Sequence, residues 1–367
     1  MYIFPYFCTQ DSGYVNCPIT IKVVLYEVTI GIPVYQAVDY IAKTMESALC
    51  QTFSAIEFLI VDDAGCDGTM EVIERLKSEH PRGKDIRILR NQKTLGVGTS
   101  RNRIISEAQG RYLYFLDSDD TIEPDTIELL VDAVQQHQAD VVYASYEKID
   151  TIHHTPTETF QYARQFFEGQ DTFAVHVFSH YSRFQVSVCN CLMDIDFLKR
   201  NKLKFIDAIF WEDMAFTYDM ATKVERAVLL PTITYHYQCR PYSLSNYQDR
   251  DILNRDEILR NASTIDYLKW RCYKLRAKPY APDFNYVLQV NSFYIVRHVL
   301  RYRDRIRPQI YTRELRQVMH SPLRLRYILQ FKYKRILNLL LWLIPHLPIP
   351  LFLLVVYVIS KVKNIIR

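Results

Sequence analysis

The run Arg111-Tyr-Leu-Tyr-Phe-Leu-Asp-Ser-Asp-Asp120 carries five apolar residues straight into a cluster of carboxylates. A buried strand that stops at an acidic turn sets its carboxylates at the carboxyl edge of a sheet, where open α/β folds bind ligands. Asp117 and Asp119 are therefore read as a metal and diphosphate site. Alternate residues of an extended chain point the same way, so these two can share a ligand while Ser118 faces elsewhere.

The first half of the chain has the period of an α/β fold around that strand. Apolar runs at 28–33, 56–61, 86–89, 112–116 and 140–146 read as strands. Amphipathic stretches at 38–49, 69–77, 99–108 and 125–135 read as helices between them. Strands alternating with short helices give βαβ units and a mostly parallel central sheet. The first strand-to-helix turn is Gly31-Ile-Pro-Val-Tyr-Gln36, without G-x-G-x-x-G, and no Walker lysine pattern occurs,. A phosphate in this fold would be neutralised by a divalent cation held on acidic strand ends, Mg²⁺ or Mn²⁺ by the hardness of the oxygen donors.

Composition narrows the class. The 367 residues, 49% of them apolar, allow about two domains with a sizeable core,. The formal net charge of +4 hides an asymmetry, because from Arg297 to Arg335 twelve Lys/Arg face only Asp304 and Glu314. Such a patch awaits an anionic partner; no nucleic-acid-binding module accompanies it, which favours an anionic membrane surface. The eight cysteines form no CxxC pair and read as buried thiols of a reducing compartment,. All nine glycines lie at or before Gly169, so the second half is expected to be mostly helical. Residues 1–25 lack an early basic segment and an unbroken apolar run, the pattern of a poorly ordered extension or a mis-assigned start rather than a signal peptide.

Several short motifs then occur in one order: Val28-Thr-Ile-Gly-Ile-Pro-Val-Tyr35, Gln51-Thr-Phe, Ile60-Val-Asp-Asp, Gly65-Cys-Asp-Gly-Thr69, Leu95-Gly-Val-Gly-Thr-Ser-Arg-Asn102 and Phe115-Leu-Asp-Ser-Asp-Asp120 with Pro124. Together, over residues 28–146, they resemble the family 2 inverting glycosyltransferases of GT-A fold, of the bacterial cell-surface polysaccharide type. The resemblance weakens over 147–183 and returns with Ser187-Val-Cys-Asn-Cys-Leu192 and Trp211-Glu-Asp-Met-Ala-Phe216. Many relatives have Lys where this chain has Cys191, so no role of such a lysine carries over.

The resemblance implies a set of roles. Pro33 and Tyr35 would line the base pocket, the alternative being a turn proline and a core tyrosine. Asp62 would accept from the base imide N–H, while Asp63 caps the following turn. Arg101 would approach the donor nucleotide or its diphosphate, unless it is a plain surface arginine. The Asp117-Ser118-Asp119 triplet corresponds to the DxD motif, with Asp119 as direct metal ligand, Asp117 on ribose or a metal-bound water, and Asp120 no more than a helix cap. Asp213 would be the general base; adjacent residues on a helix diverge by about 100°, so Glu212 is not expected to share that task. The alternative is an acidic pair that only stabilises a helix start. Arg240, before the Tyr242-Ser-Leu-Ser245 turn, would clamp the diphosphate; His236 is a possible extra metal ligand, but more simply an alternating strand histidine.

The chain divides on this reading into an extension (1–27), a catalytic domain (28–246, donor half 28–146, acceptor half 147–246), a basic helical region (247–335) and an apolar tail (336–367). The run 336–359 is long enough for a bilayer core, yet its prolines and His346 favour a broken in-plane anchor at the cytoplasmic membrane face, with a single span as the alternative. The expected function is transfer of a sugar from a nucleotide-sugar donor, a UDP-sugar, to a hydroxyl of a lipid-linked saccharide or growing polysaccharide. A nucleotidyltransferase, or a non-catalytic membrane-associated partner keeping the fold, are the alternatives.

Overall fold

The computed structural model describes residues 26–153, 155–208, 211–239 and 250–361. The extension 1–25, Arg240 and the 242–245 turn lie outside the described residues. Three strands, β1 (Val28–Val34), β2 (Ile56–Asp62) and β3 (Ile86–Arg90), alternate with α1 (Ile41–Leu49), α2 (Thr69–Glu79) and α3 (Val97–Glu107), and α3 leads into β4 (Tyr112–Phe115). These four strands pair in parallel in the order β3-β2-β1-β4. β1 and β2 are buried along their whole length, which is why they read as continuous apolar runs rather than alternating ones.

Beyond β4 the sheet changes character. β5 (Thr121–Ile122) and α4 (Thr126–His137) precede β6 (Val141–Asp150), after which β7 (Thr155–Phe160), β8 (Gln165–Glu168) and α5 (Thr172–Ser179) lead to β9 (Cys191–Asp194). β9 enters antiparallel between β4 and β6. Then α6 (Ile195–Arg200) and α7 (Glu212–Ala221) lead to β10 (Arg226–Cys239), parallel to β6 and antiparallel to β5. The full order is β3-β2-β1-β4-β9-β6-β10-β5. The expected parallel sheet is thus the first four strands, with mixed pairing grafted onto it.

The chain leaves β1 toward β2 on one side and returns to β4 on the other, so the strand order reverses at β1. That switch point is where such sheets open a ligand crevice. Pro33 marks it. Pairing of β1 with β4 ends at Gly31 opposite Phe115, while β1 stays beside β2 through Val34. Proline lacks an N–H, and here it sits where one neighbour has already departed. The strand therefore continues one residue past the proline at which the sequence suggested it ends.

Asn190 joins the two parts of the sheet. Fully buried with φ +58°, it donates from Nδ2 to the carbonyls of Ala144 (2.8 Å) and Ser145 (2.9 Å) and accepts at Oδ1 from Thr234 (2.7 Å) and Tyr114 (3.3 Å). One side chain thereby ties β4, β6 and β10 together.

The helical region follows: β11 (Leu253–Asn254), α8 (Arg255–Lys274), α9 (Ala281–Arg301), β12 (Ile306–Arg307), α10 (Thr312–Met319), α11 (Leu325–Gln330), α12 (Arg335–Leu343) and α13 (Ile349–Lys361). It docks on the sheet domain through Asp219, which accepts from Arg271 Nε and Tyr267 Oη, both at 2.5 Å. Phe178 stacks on Phe284 at 4.1 Å. On α9, Asn285 donates to Asn338 Oδ1 of α12 (2.6 Å), and Lys334 pairs with Asp283 (3.0 Å).

The apolar tail is broken, as its prolines suggested, by a tight turn at Ile344–His346 and by Pro348. Neither α12 nor α13 is long enough for a hydrocarbon core of about 30 Å at 1.5 Å rise per residue. Among the described residues no helix is long and apolar enough to cross a membrane.

Replacing Asn190 with alanine removes its bonds to Thr234, Tyr114 and the carbonyls of Ala144 and Ser145, and puts at φ +58° a residue that tolerates the left-handed region less well than asparagine,. We expect a loss of about 2–4 kcal/mol, read as a lower midpoint in urea denaturation with an unchanged slope.

Candidate functional site

The site is built around Arg101, on the second turn of α3. Helix α3 lies close on β1 because Gly31 leaves room for Ile104, whose side chain a Cβ there would meet at 2.4 Å. The guanidinium is 3% exposed and lies against the rings of Phe205 (5.5 Å) and Phe115 (6.0 Å). Its Nη2 donates to Asp117 Oδ1 at 2.8 Å, and its Nη1 donates to Asp213 Oδ1 at 2.5 Å and Glu212 Oε1 at 3.0 Å. Nε has no partner among the described residues. Burial opposes the charge, but Asp213, Asp117 and Glu212 outweigh it and raise the pKa.

This changes the part given to Arg101. Its fork is filled by three carboxylates, so it is neither a surface arginine nor a group presented to a diphosphate. The carboxylates reach outward instead, with side-chain exposures of 30% for Asp117 and 20% for Asp213. Glu212 and Asp213 were expected to diverge, yet both reach one nitrogen. They are the first two residues of α7, and the arginine approaches that helix start from α3.

Asp213 is the more polar-exposed of the pair and also strongly perturbed. Burial raises its pKa to about 7; Arg101 works against the shift, while Glu212 and Asp117 add to it. A carboxylate that is half protonated near neutrality suits proton abstraction. Trp211 precedes the pair in left-handed backbone, φ +64° and ψ +14°, a conformation that costs a residue with a side chain about 1–2 kcal/mol.

The acidic turn after β4 is not extended. The strand stops at Phe115, and the N–H of Asp120 returns to the carbonyl of Asp117 at 3.2 Å. The alternation argument for Asp117 and Asp119 therefore does not apply, although both stay half-buried at the crevice mouth. Asp120 is not a helix cap. It is 1% exposed, accepts from Tyr235 Oη (2.5 Å) and from the N–H of Gln238 (2.8 Å), and so clips the turn to β10. Burial, then Asp119 and Asp117, hold its pKa well above the carboxylate range.

Among the described residues no group of three or more His, Cys, Asp or Glu side chains could hold a metal ion. The donors that could take part are carboxylate oxygens of Asp117 and Asp119, suited to Mg²⁺ or Mn²⁺ when phosphates and water complete the shell. Asp117 already accepts from Arg101 at one oxygen. His236 is no ligand: Nε2 lies 2.7 Å from Glu123 and Nδ1 2.9 Å from Glu147, both ring nitrogens being taken.

The residues expected at a base pocket lie at the same sheet edge. Pro33 is buried, whereas Tyr35 is 47% exposed just past β1, available as a stacking face rather than as a core residue. Asp62 accepts the Gly65 N–H at 3.0 Å and so makes the turn after β2. Asp63 does not cap that turn; it accepts from Asn91 Nδ2 (2.7 Å) and the N–H groups of Leu95 (2.9 Å) and Gly96 (2.8 Å), fixing the loop that starts α3. Asn102 anchors a loop, exchanging two 2.8 Å bonds with the Phe205 backbone. Cys191, in place of the relatives' lysine, is fully buried in β9.

Arg101→Met would leave three carboxylates facing one another. We expect a loss of about 3–5 kcal/mol at pH 8, read by thermal denaturation. Burial already raises the pKa values of Glu212 and Asp213, and loss of the guanidinium would raise these two further, so the deficit is small near pH 4 and grows as pH rises. A deficit independent of pH would contradict this account.

Residues 29–186 match the family described as Glycosyl transferase family 2. The chain is 36% identical over 124 residues to chondroitin synthase of Escherichia coli, covering 34% of this chain and 18% of that protein. It is 32% identical over 123 residues to glycosyltransferase GlyG of Streptococcus pneumoniae serotype 4, covering 34% and 40% respectively. The chain thus spans less than half the length of these relatives. Among solved structures, S. aureus TarS 1-349 in complex with UDP-GlcNAc superposes with a TM-score of 0.60 at 16% identity, covering 87% of this chain and 90% of that one, a likeness of fold. The switch-point crevice and the acidic turn after β4 lie within or beside the segment 29–186 that matches glycosyl transferase family 2, and the two agree.

Proposed function

We propose that this chain is an inverting glycosyltransferase that moves a sugar from a nucleotide-sugar donor, UDP-linked, to a hydroxyl of a lipid-linked saccharide or growing polysaccharide. The observation that carries the reading is the single buried guanidinium of Arg101 holding Asp117 on one side and Asp213 on the other. A donor-side acid and an acceptor-side acid are thereby held at a fixed separation, which an in-line displacement requires. Tyr35 offers the base a face and Asp62 an acceptor. Asp117 and Asp119 would hold a divalent cation, whose charge offsets that of the departing diphosphate. Asp213 takes the proton of the acceptor hydroxyl as its oxygen bonds to the anomeric carbon from the side opposite the diphosphate. The bond from that carbon to the phosphate oxygen breaks, and nucleoside diphosphate leaves. Arg101 is a positioning residue that keeps Asp213 aimed. The TarS complex with UDP-GlcNAc supports a nucleotide-sugar donor for this fold.

The tail supports a peripheral position on anionic lipid at the cytoplasmic membrane face. Along α12 and α13, Ile336, Leu340, Leu354, Tyr357 and Val358 are at least half exposed, while Leu341, Phe352 and Val356 face inward. No Asp or Glu follows Glu314, whereas nine Lys/Arg do. Beside the break between the two helices, Arg313, Arg316, His320 and His346 line a groove with Ile349, and Arg316 donates to the Pro345 carbonyl at 2.9 and 3.0 Å. An apolar face with cations at its centre and ends suits acyl chains below anionic head groups.

Release of nucleoside diphosphate in a screen of nucleotide sugars, with and without Mn²⁺, tests the chemistry. Asp213→Asn should lower the rate by about 10²–10⁴, and Asp119→Ala should abolish the metal response; pyrophosphate as the product would establish nucleotidyl transfer instead. Since the base must be deprotonated, transfer should rise with pH through about 7 and then level off. Full-chain protein should sediment with phosphatidylglycerol vesicles and not with phosphatidylcholine ones, and Leu354→Glu should prevent it; equal recovery with both lipids would refute the lipid surface.

A further inference from the structure

Beside the acidic pair, a cavity of about 310 Å³ opens between α8 and α9. Trp211 closes one wall, and Asn261, Tyr294, Arg297, Arg301 and Tyr302 supply others. No carboxylate is among the residues that line it. Three aromatic rings offer faces for the C–H surfaces of pyranose rings, and two guanidinium groups offer forked donors for an anion. Arg297 makes no ion pair or hydrogen bond among the described residues. Asn261 is 4% exposed, and its Oδ1 has no hydrogen-bond partner among the described residues. A buried acceptor left unpaired is unfavourable, and a ligand hydroxyl would satisfy it.

The cavity is coupled to the chemistry through the backbone. Trp211 is the residue before α7, whose first two residues are Glu212 and Asp213, and the Trp211 carbonyl accepts from the Ala215 N–H at 3.0 Å. Its left-handed backbone turns the ring toward α8 and α9 while the next two side chains turn toward Arg101. The ring that walls the cavity and the carboxylate that would take the acceptor proton therefore stand two residues apart on one rigid helix start.

We propose that this cavity is the acceptor subsite, and that it takes a saccharide bearing an anionic group, a carboxylate or a phosphate. The assignment rests on the transferase reading above. The helical region then does more than cover the sheet: it selects the acceptor, with Arg297 and Arg301 reading the charge, Asn261 a hydroxyl, and Trp211 and Tyr302 the ring.

The test is tryptophan fluorescence of the full chain, titrated with a uronic-acid-containing disaccharide, its carboxyl-reduced neutral counterpart, and a hexose phosphate. Quenching by an acidic probe is expected, with the neutral disaccharide about tenfold weaker or more. Trp211→Phe should remove the response. Arg297→Glu should weaken acidic binding about tenfold or more, and Arg297→Lys, which keeps the charge but not the fork, should fall between that variant and the wild type, with circular-dichroism melting showing that each variant is folded. A response to the uronate alone assigns a carboxylate acceptor, and one to the hexose phosphate alone assigns a phosphate-bearing acceptor. No quenching by either acidic probe, equal quenching by the neutral disaccharide, or an Arg297→Glu variant that binds like the wild type would overturn the proposal. A chain that releases nucleoside diphosphate yet shows one of these results loses the acceptor subsite alone; a chain that releases none loses the transferase reading itself.

Discussion

One buried cation organises the centre of this molecule. Arg101 brings together a strand end, a helix start and the helix that carries it, and each of its carboxylate partners would repel the others in its absence. A buried ion cluster of this kind contributes little net stability compared with an apolar core, because desolvation offsets most of the attraction. What it supplies is position. Asp117 belongs to the parallel part of the sheet and Asp213 to the segment that follows β9, and nothing in their own elements sets the separation between them. The aromatic walls of Phe115 and Phe205 keep water from competing for the guanidinium, so the separation holds.

The rest of the fold can be understood as bracing for that cluster. Gly31 lets α3 approach β1, Asp63 fixes the loop where α3 begins, and Asp120 ties the acidic turn to β10. Asn190 then fastens β4, β6 and β10 into one surface. Three of these four are polar and nearly fully buried, which is tolerable because each accepts or donates wherever it can. The sheet thus departs from simple parallel order where β9 enters between β4 and β6.

The donor half was legible in the sequence because its signals are local. Continuous apolar runs mark strands buried on both faces, and the order of β1 to β4 follows from alternation with short helices. The position of Asp117, Asp119 and Asp213 followed from short motifs. What could not be read depended on distant partners. Asp120 looked like a helix cap because Pro124 and Asp125 follow it, whereas its partner Tyr235 lies 115 residues along the chain. Arg101 was expected near a phosphate on the resemblance alone, whereas two of its three carboxylate partners lie 111 and 112 residues along the chain. Glu212 was set aside by an angular argument that holds for ligands approaching along one direction, and Arg101 comes from the side. The alternation used for Asp117 and Asp119 failed because the strand ends at Phe115, before either residue, and the chain turns there. In the tail, by contrast, prolines decided the outcome locally, and the break was readable.

The Asp63 clip has a bearing on how this fold can vary. The loop from Asn91 to Gly96 is pinned at three points to the end of β2, and α3 starts immediately after it. Its length is therefore not a free parameter: adding or removing a residue would rotate α3 and carry Arg101 off the carboxylates it joins. Segments such as β7 and β8, whose side chains are mostly exposed at the sheet margin, carry no such constraint. Diversity among chains built on this plan should accumulate there, and recombination between them should succeed at the margin while failing at the short loop beside β2.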